Sequence, residues 1–159
     1  MTKSQCVRLW RNVRVKDTPG CAGCPMYQDG EQPFVPDEIV PTAPTFVLGQ
    51  NPGVDEARSG RPFVGKTGED LIRVYFPLAG LERGVNVSIG NAVRCRWQGT
   101  NELPKGKVLE DVIAHCTRAH LRIPSGTRLV VAQGAVAAKA LGCPGNITDW
   151  RGHTWEYTA

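Results

Sequence analysis

From Thr45 onward the chain alternates short apolar runs with amphipathic ones, and this alternation limits the fold more than any other feature of the sequence. Thr45-Phe46-Val47-Leu48 and Leu129-Val130-Val131-Ala132 are continuous apolar runs of strand length, and Val85 to Ile89 alternates with a period of two. Between them, Leu71, Ile72, Tyr75, Phe76 and Leu78 form one helical stripe, and Leu109, Val112, Ile113, Cys116 and Ala119 form a second. A third helical run, Ala135 to Leu141, stops at Gly142, as a helix C-terminus prefers. Strands separated by helices become parallel neighbours joined by crossovers. The predicted fold is therefore α/β, three layers with helices on both faces of a central parallel sheet.

The first 44 residues lack the pattern. They carry Pro19, Pro25, Pro33, Pro36, Pro41 and Pro44, half of the chain's 12 prolines, and read as an irregular N-terminal arm with a short helix near Val7 to Val13. The core is then 45–159, the whole forming one structural domain. At 41% hydrophobic and 21% charged, the 159 residues are too apolar for a disordered chain. No apolar run reaches the roughly 20 residues that span a bilayer, and Met1 to Lys16 lack the apolar middle of an export signal. A net charge of +4 permits nucleic-acid binding without arguing for it.

Each strand run ends in glycine beside a small or amide-bearing residue: Gly49-Gln50-Asn51-Pro52-Gly53, Gly90-Asn91-Ala92 and Gln133-Gly134-Ala135. In a parallel sheet these junctions share the carboxyl edge, where open α/β sheets place their ligands. Glycine at any one junction can serve only a tight turn. Amides at all three favour a binding crevice gathering Gln50, Asn51, Asn91 and Gln133.

Of the six cysteines, Cys21 and Cys24 form a C-x-x-C whose spacing lets two thiolates face one metal, a form shared with redox motifs. Cys95 follows the second strand, and Cys116 lies on the inward stripe of the second helix; alone, Cys116 reads as a small buried residue. Four such thiols suit zinc or an iron–sulfur cube, and spacing does not choose between them. Cys6 and Cys143 have no partner pattern.

The block Gly49-Gln50-Asn51-Pro52-Gly53, Asp55-Glu56, then Gly60-Arg61-Pro62-Phe63-Val64-Gly65 and Gly68 resembles the iron–sulfur, family 4 uracil-DNA glycosylases, which read G-E-x-P-G and G-x-P-F-V-G-x-x-G. The likeness continues at Asn91-Ala-Val-Arg-Cys95-Arg96 (N-V-V-K-C-R in the family), His115-Cys116, Gly134-Ala-Val-Ala-Ala and Arg151-Gly152. It implies a uracil-DNA glycosylase fold, hydrolysis of the N-glycosidic bond of uracil in base-excision repair, and uracil-containing DNA as partner. It also implies a 4Fe–4S cluster on Cys21, Cys24, Cys95 and Cys116 that pins the arm structurally, with zinc as the alternative occupant. A cytoplasmic, nucleoid-associated monomer is the matching expectation. Phe63 matches the residue that stacks on uracil, against the plainer reading of a core aromatic. Asn91 matches the residue that reads the base edge, because one amide pairs with both O4 and N3–H; otherwise it stabilises a turn. Gly49 and Gly53 frame the pocket, Asn51 and Gln50 are the candidate catalytic residues, and N–H groups from Asn51 to Val54 can hold a phosphate or the departing anion.

Gln50 departs from the family's glutamate, and Asn51 looks like the G-x-N-P-G of mismatch-specific uracil glycosylases. An amide orients water but takes up no proton at neutral pH, so slower chemistry is expected. Asp55 and Glu56 read as acids complementing a helix dipole. Gln98 to Lys107 looks like an inserted loop. The family's His-Pro loop is absent: the sequence runs Thr154 to Ala159 as a strand begins, and His153 precedes the motif's place. His115 and His120 read as surface or core residues. A portion of a longer protein, or a reduced member, is the expectation. The alternative function is a weak or inactive module that grips DNA or uracil, such as the N-terminal domain of a larger replication or repair protein. Arg58, Arg61 and Lys66, with Arg94 and Arg96, are expected to contact phosphates.

Overall fold

The computed structural model describes residues 13–97 and 100–157. The helix expected near Val7 lies outside them except for Val13, as does Cys6. Three strands, β1 (Thr45–Gly49), β2 (Val87–Asn91) and β3 (Leu129–Ala132), form one parallel sheet in the order β2-β1-β3. Val47 sits opposite Ile89 and Val131, so alternate residues of all three strands share a face. On one face Phe46 and Leu48 pack with α3 (Gly106–His120) and α4 (Ala135–Ala140) through Val112, Ile113, Ala137 and Ala140. On the other, Val47, Val87 and Ile89 meet Phe63, Leu71 and Phe76, which follow α1 (Val54–Ser59) and lie on or beside α2 (Lys66–Asp70) and its continuation. The three-layer α/β/α expectation holds.

Three details differ from the sequence pattern. First, α2 runs into a π-helical stretch, Leu71–Tyr75, and a closing turn, Phe76–Leu78. The Phe76 N–H bonds to the Leu71 carbonyl, so residues five apart share the inner face. Leu71 and Phe76 are buried, whereas Tyr75 and Leu78 face solvent. Second, β2 starts at Val87 because Asn86 closes a turn, accepting from the Glu82 N–H at 2.7 Å and donating to the Gly80 carbonyl at 2.9 Å. Third, β3 is an edge strand whose Leu129 and Val131 are exposed, while Val130 and Ala132 pack on the core. The strand expected near the last residues is absent among the described ones; Trp155 instead packs edge-on to Trp150 of α5 (Ile147–Trp150).

The arm completes the core rather than hanging from it. Met26 and Val35 are 1% exposed. Glu38 exchanges both main-chain hydrogen bonds with Ile89, the Val35 N–H bonds to the Arg94 carbonyl, and Ser88 Oγ joins Val40, so the arm covers the outer edge of β2. Among the described residues no helix is long and apolar enough to cross a membrane.

Candidate functional site

A cleft of about 400 Å³ opens at the carboxyl ends of the strands, lined by Gly49, Gln50, Asn51, Gly53, Phe63, Lys66, Asn91 and Gln133 among others. The junction amides therefore converge, as parallel topology requires. Gly49 and Asn91 are register partners at the ends of β1 and β2. A Cβ on Gly49 would stand 2.6 Å from both Asn91 Oδ1 and Phe63 Cζ, so the absent side chain lets amide and ring both close in on the strand end. Asn91 is 4% exposed and Phe63 8%. Phe63 belongs to the apolar core and to the cleft wall at once.

Phe63 is held in a conformation its side chain disfavours. Its φ of 52° is the positive φ of a non-glycine residue, a state that costs on the order of 1–3 kcal/mol. Clamps on both sides hold it. Arg83 donates to the Pro62 carbonyl at 2.7 Å and the Phe63 carbonyl at 3.0 Å. Glu56 Oε1 accepts the Val64 and Gly65 N–H groups at 2.9 and 2.7 Å. Behind the ring, a Cβ on Gly68 would collide with the Phe63 carbonyl group.

Glu56 Oε2 also accepts the Gly53 N–H at 3.0 Å, the N3-carboxylate half of a capping box at the start of α1, since Gly53 has no side chain to complete it. One carboxylate thus ties the Gly49–Gly53 loop to the Phe63 loop, more than the dipole role that its first-turn position suggested. Gly53 lines the cleft with its N–H already engaged, and Pro52 has none, so of residues 51–54 only Asn51 and Val54 keep an N–H for a ligand. Asn51 Nδ2 donates to the Asn101 carbonyl at 3.1 Å, which leaves Oδ1 to orient a water. Gln50 is exposed and lies against Gly134. Asn101, missed in the sequence, reaches the cleft from the loop before α3; its Oδ1 accepts from Arg96 Nε at 3.1 Å.

The cations separate. Lys66 is exposed on the cleft wall. Arg58 is exposed beside Asp55 at 3.4 Å. Arg61 places Nε 2.8 Å from Glu38, which also binds Arg83. Burial pushes the Glu38 carboxyl up, but hydrogen bonds from Arg83 and Arg61 outweigh it and hold it below the usual carboxylate range. Arg94 is a correction. It is 1% exposed and paired with Asp37 at 2.6 Å, so it faces no phosphate; the apolar packing of Val93 and the arm draws it inward.

Cys21, Cys24, Cys95 and Cys116 line one small cavity with Arg94, His115 and His120, and none is in a disulfide. Burial first, then the neighbouring thiols, pushes Cys21 up to about 11 and raises Cys95 and Cys24; N–H groups of Met26 and Tyr27 oppose this at Cys24. A bound metal would supply the positive charge that lets four buried, clustered thiols ionise together. Arg94 Nη1 lies 3.9 Å from Cys116 Sγ, and His120 Nε2 lies 3.3 Å from Cys21 Sγ, polar partners suited to coordinated sulfur. His115 Nε2 bonds the Gly20 carbonyl at 2.7 Å, bracing the C-x-x-C turn. The donor set fits a thiolate-held group joining arm, strand end and α3. Among the described residues no three His, Cys, Asp or Glu side chains are gathered closely enough to form an ion-sized cage.

Comparison with known proteins agrees with this geometry. Residues 36–157 match the model of the uracil DNA glycosylase superfamily. The chain is 32% identical to a type-4 uracil-DNA glycosylase of Pyrobaculum aerophilum over 121 residues, 76% of this chain and 59% of that one. It is 37% identical to the type-4 enzyme of Sulfurisphaera tokodaii over 97 residues, 61% of this chain and 41% of the relative. A Thermotoga maritima type-4 enzyme is 36% identical over 76 residues, 48% of this chain and 38% of its own length. The matched part thus spans about half the length of these relatives. With the cleft and the family match covering the same sheet edge, the chain belongs to the uracil DNA glycosylase superfamily.

Proposed function

We propose that this chain is a uracil-DNA glycosylase that removes uracil by hydrolysing its N-glycosidic bond. The observation that carries the reading is the convergence of Phe63 and Asn91 on the side-chain-free Gly49, at the sheet edge where the family match falls. A flipped pyrimidine lies flat on Phe63, whose strained loop is fixed before the base arrives, so little ordering cost remains for binding. Asn91 donates to O4 and accepts from N3–H, a pairing that cytosine lacks. The C1′–N1 bond breaks with its electron pair leaving on uracil N1. Water oriented by Asn51 Oδ1 forms the new bond to C1′, and its proton passes to solvent. Glu56 is occupied by three N–H groups and acts as a brace rather than a base.

Cys21, Cys24, Cys95 and Cys116 would hold a 4Fe–4S cluster, which supplies no electrons to a hydrolysis and serves to fasten the arm. Lys66, Arg58 and Arg61 would contact backbone phosphates around the cleft.

The test is incubation with a uracil-containing oligonucleotide followed by alkali cleavage. Strand scission that disappears in Asn91→Ala and Phe63→Ala is the expected result. Binding of the uracil strand without scission instead indicates a module that grips and does not cut, and absence of both refutes the reading.

A further inference from the structure

A buried run of polar contacts stands directly behind the base-reading residue. On its outer side β2 faces the arm, where Ile89 exchanges its N–H and C=O with Glu38. Two residues on, the Asn91 N–H faces the same way. The Asp37 carboxylate stands on that side, where the Asn91 N–H helps to offset the cost of its burial without closing a hydrogen bond of full geometry. Asp37 Oδ1 is buried and has no hydrogen-bond partner among the described residues. Oδ2 is fixed by Arg94 Nη2 at 2.6 Å, and the two side chains are 7% and 2% exposed. Arg94 is in turn anchored by the Cys116 sulfur. The carboxylate occupies the space that a Cβ on Gly90 would need, so a side chain there would displace it.

Two buried charges are not the easiest way to fill this volume, since apolar residues of similar size are often as stabilising. What the pair adds is a fixed orientation at one point of the strand. We propose that Asp37 is a positioning residue for Asn91, seating the end of β2 so that the Asn91 amide meets the base edge, with Arg94 holding Asp37 in place. The inference rests on the uracil reading of the cleft.

The test compares binding of the purified, metal-loaded chain to two oligonucleotides, one with a single 2′-fluoro-deoxyuridine, which resists hydrolysis, and one with deoxycytidine, which lacks the O4 and N3–H edge, at the same position. The exchange rate of the Asn91 amide proton is measured alongside. Asp37→Asn keeps an acceptor beside Asn91 but loses the charge that Arg94 grips. Asp37→Ala/Arg94→Met removes the seat without leaving an unpaired buried charge, and carries the test should the single variant misfold. In the double variant the preference for uracil falls by about tenfold, the equivalent of one lost hydrogen bond. Asn91 exchange accelerates with it, deoxycytidine-strand affinity is unchanged, and Asp37→Asn falls between. A role confined to stability lowers both affinities together. Folded variants that keep wild-type preference and wild-type Asn91 protection overturn the proposal. Wild-type protein without uracil preference overturns the uracil reading instead, while amide exchange still reports on the seat.

Discussion

Glu56 offers the sharpest test of how this cleft is built. Its carboxylate accepts three main-chain N–H groups at 2.7–3.0 Å from two loops that the sequence separates by several residues. Hydrogen bonds to a charged acceptor contribute roughly 1.5–3 kcal/mol each, so three sum to about 4–9 kcal/mol before solvent is considered. The side chain is only half-buried, and water replaces part of this when the carboxylate is removed. Glu56→Ala is therefore expected to destabilise the fold by roughly 2–4 kcal/mol. For a chain of this size that lowers the thermal midpoint by roughly 5–15 °C, read by circular dichroism. Releasing the Val64 and Gly65 N–H groups also frees Phe63 to leave its positive φ, so uracil excision falls with the midpoint. Glu56→Gln shows an intermediate loss of both, because one oxygen remains to accept. A Glu56→Gln protein with wild-type thermal stability and excision slowed by orders of magnitude would refute the brace and make Glu56 a proton acceptor in the reaction.

Two further outcomes follow from the same geometry. Glu38 has its carboxyl held below its usual range, so its contribution to stability is present above the ordinary carboxylate pKa and is lost as pH falls through the depressed one. Glu38→Gln should accordingly flatten the decline of urea-unfolding midpoints below about pH 4.5; an unchanged slope contradicts the Arg61–Glu38–Arg83 cluster as the titrating unit. If Arg58, Arg61 and Lys66 each neutralise one phosphate, the plot of log affinity against log salt should lose about 0.7–0.9 of slope in Lys66→Ala. A parallel line for this variant removes Lys66 from the interface.

The layers, the parallel strands and the place of the cleft at their carboxyl edge were legible because periodicity and glycine-amide junctions are local signals. Phe46, Val47 and Asn91 fall where the pattern put them, whereas Phe63 was singled out only by the family resemblance. What was illegible depends on contacts between distant segments. Arg94 looks in sequence like any basic residue beside a site, and only the fold of the arm sets Asp37 against it. Glu56 reads as an ordinary first-turn acid until the Phe63 loop returns to meet it. The π-helical stretch shifts the buried spacing from four residues to five, so a 3.6-residue stripe assigned Tyr75 and Leu78 inward when they face out. Asn101 lies in a stretch with no periodicity, and no residue-type signal marked it.

Gly68 carries a consequence for how this lineage can vary. Where most glycines on the surface yield to alanine at modest cost, a single methyl here would strike the carbonyl of the residue whose ring forms the pocket floor. Rotamer adjustment offers no escape, because the obstacle is main chain. The first turn of α2 and the aromatic wall must therefore be inherited as one piece, and substitutions that repair other damage to the cleft have no route around this one.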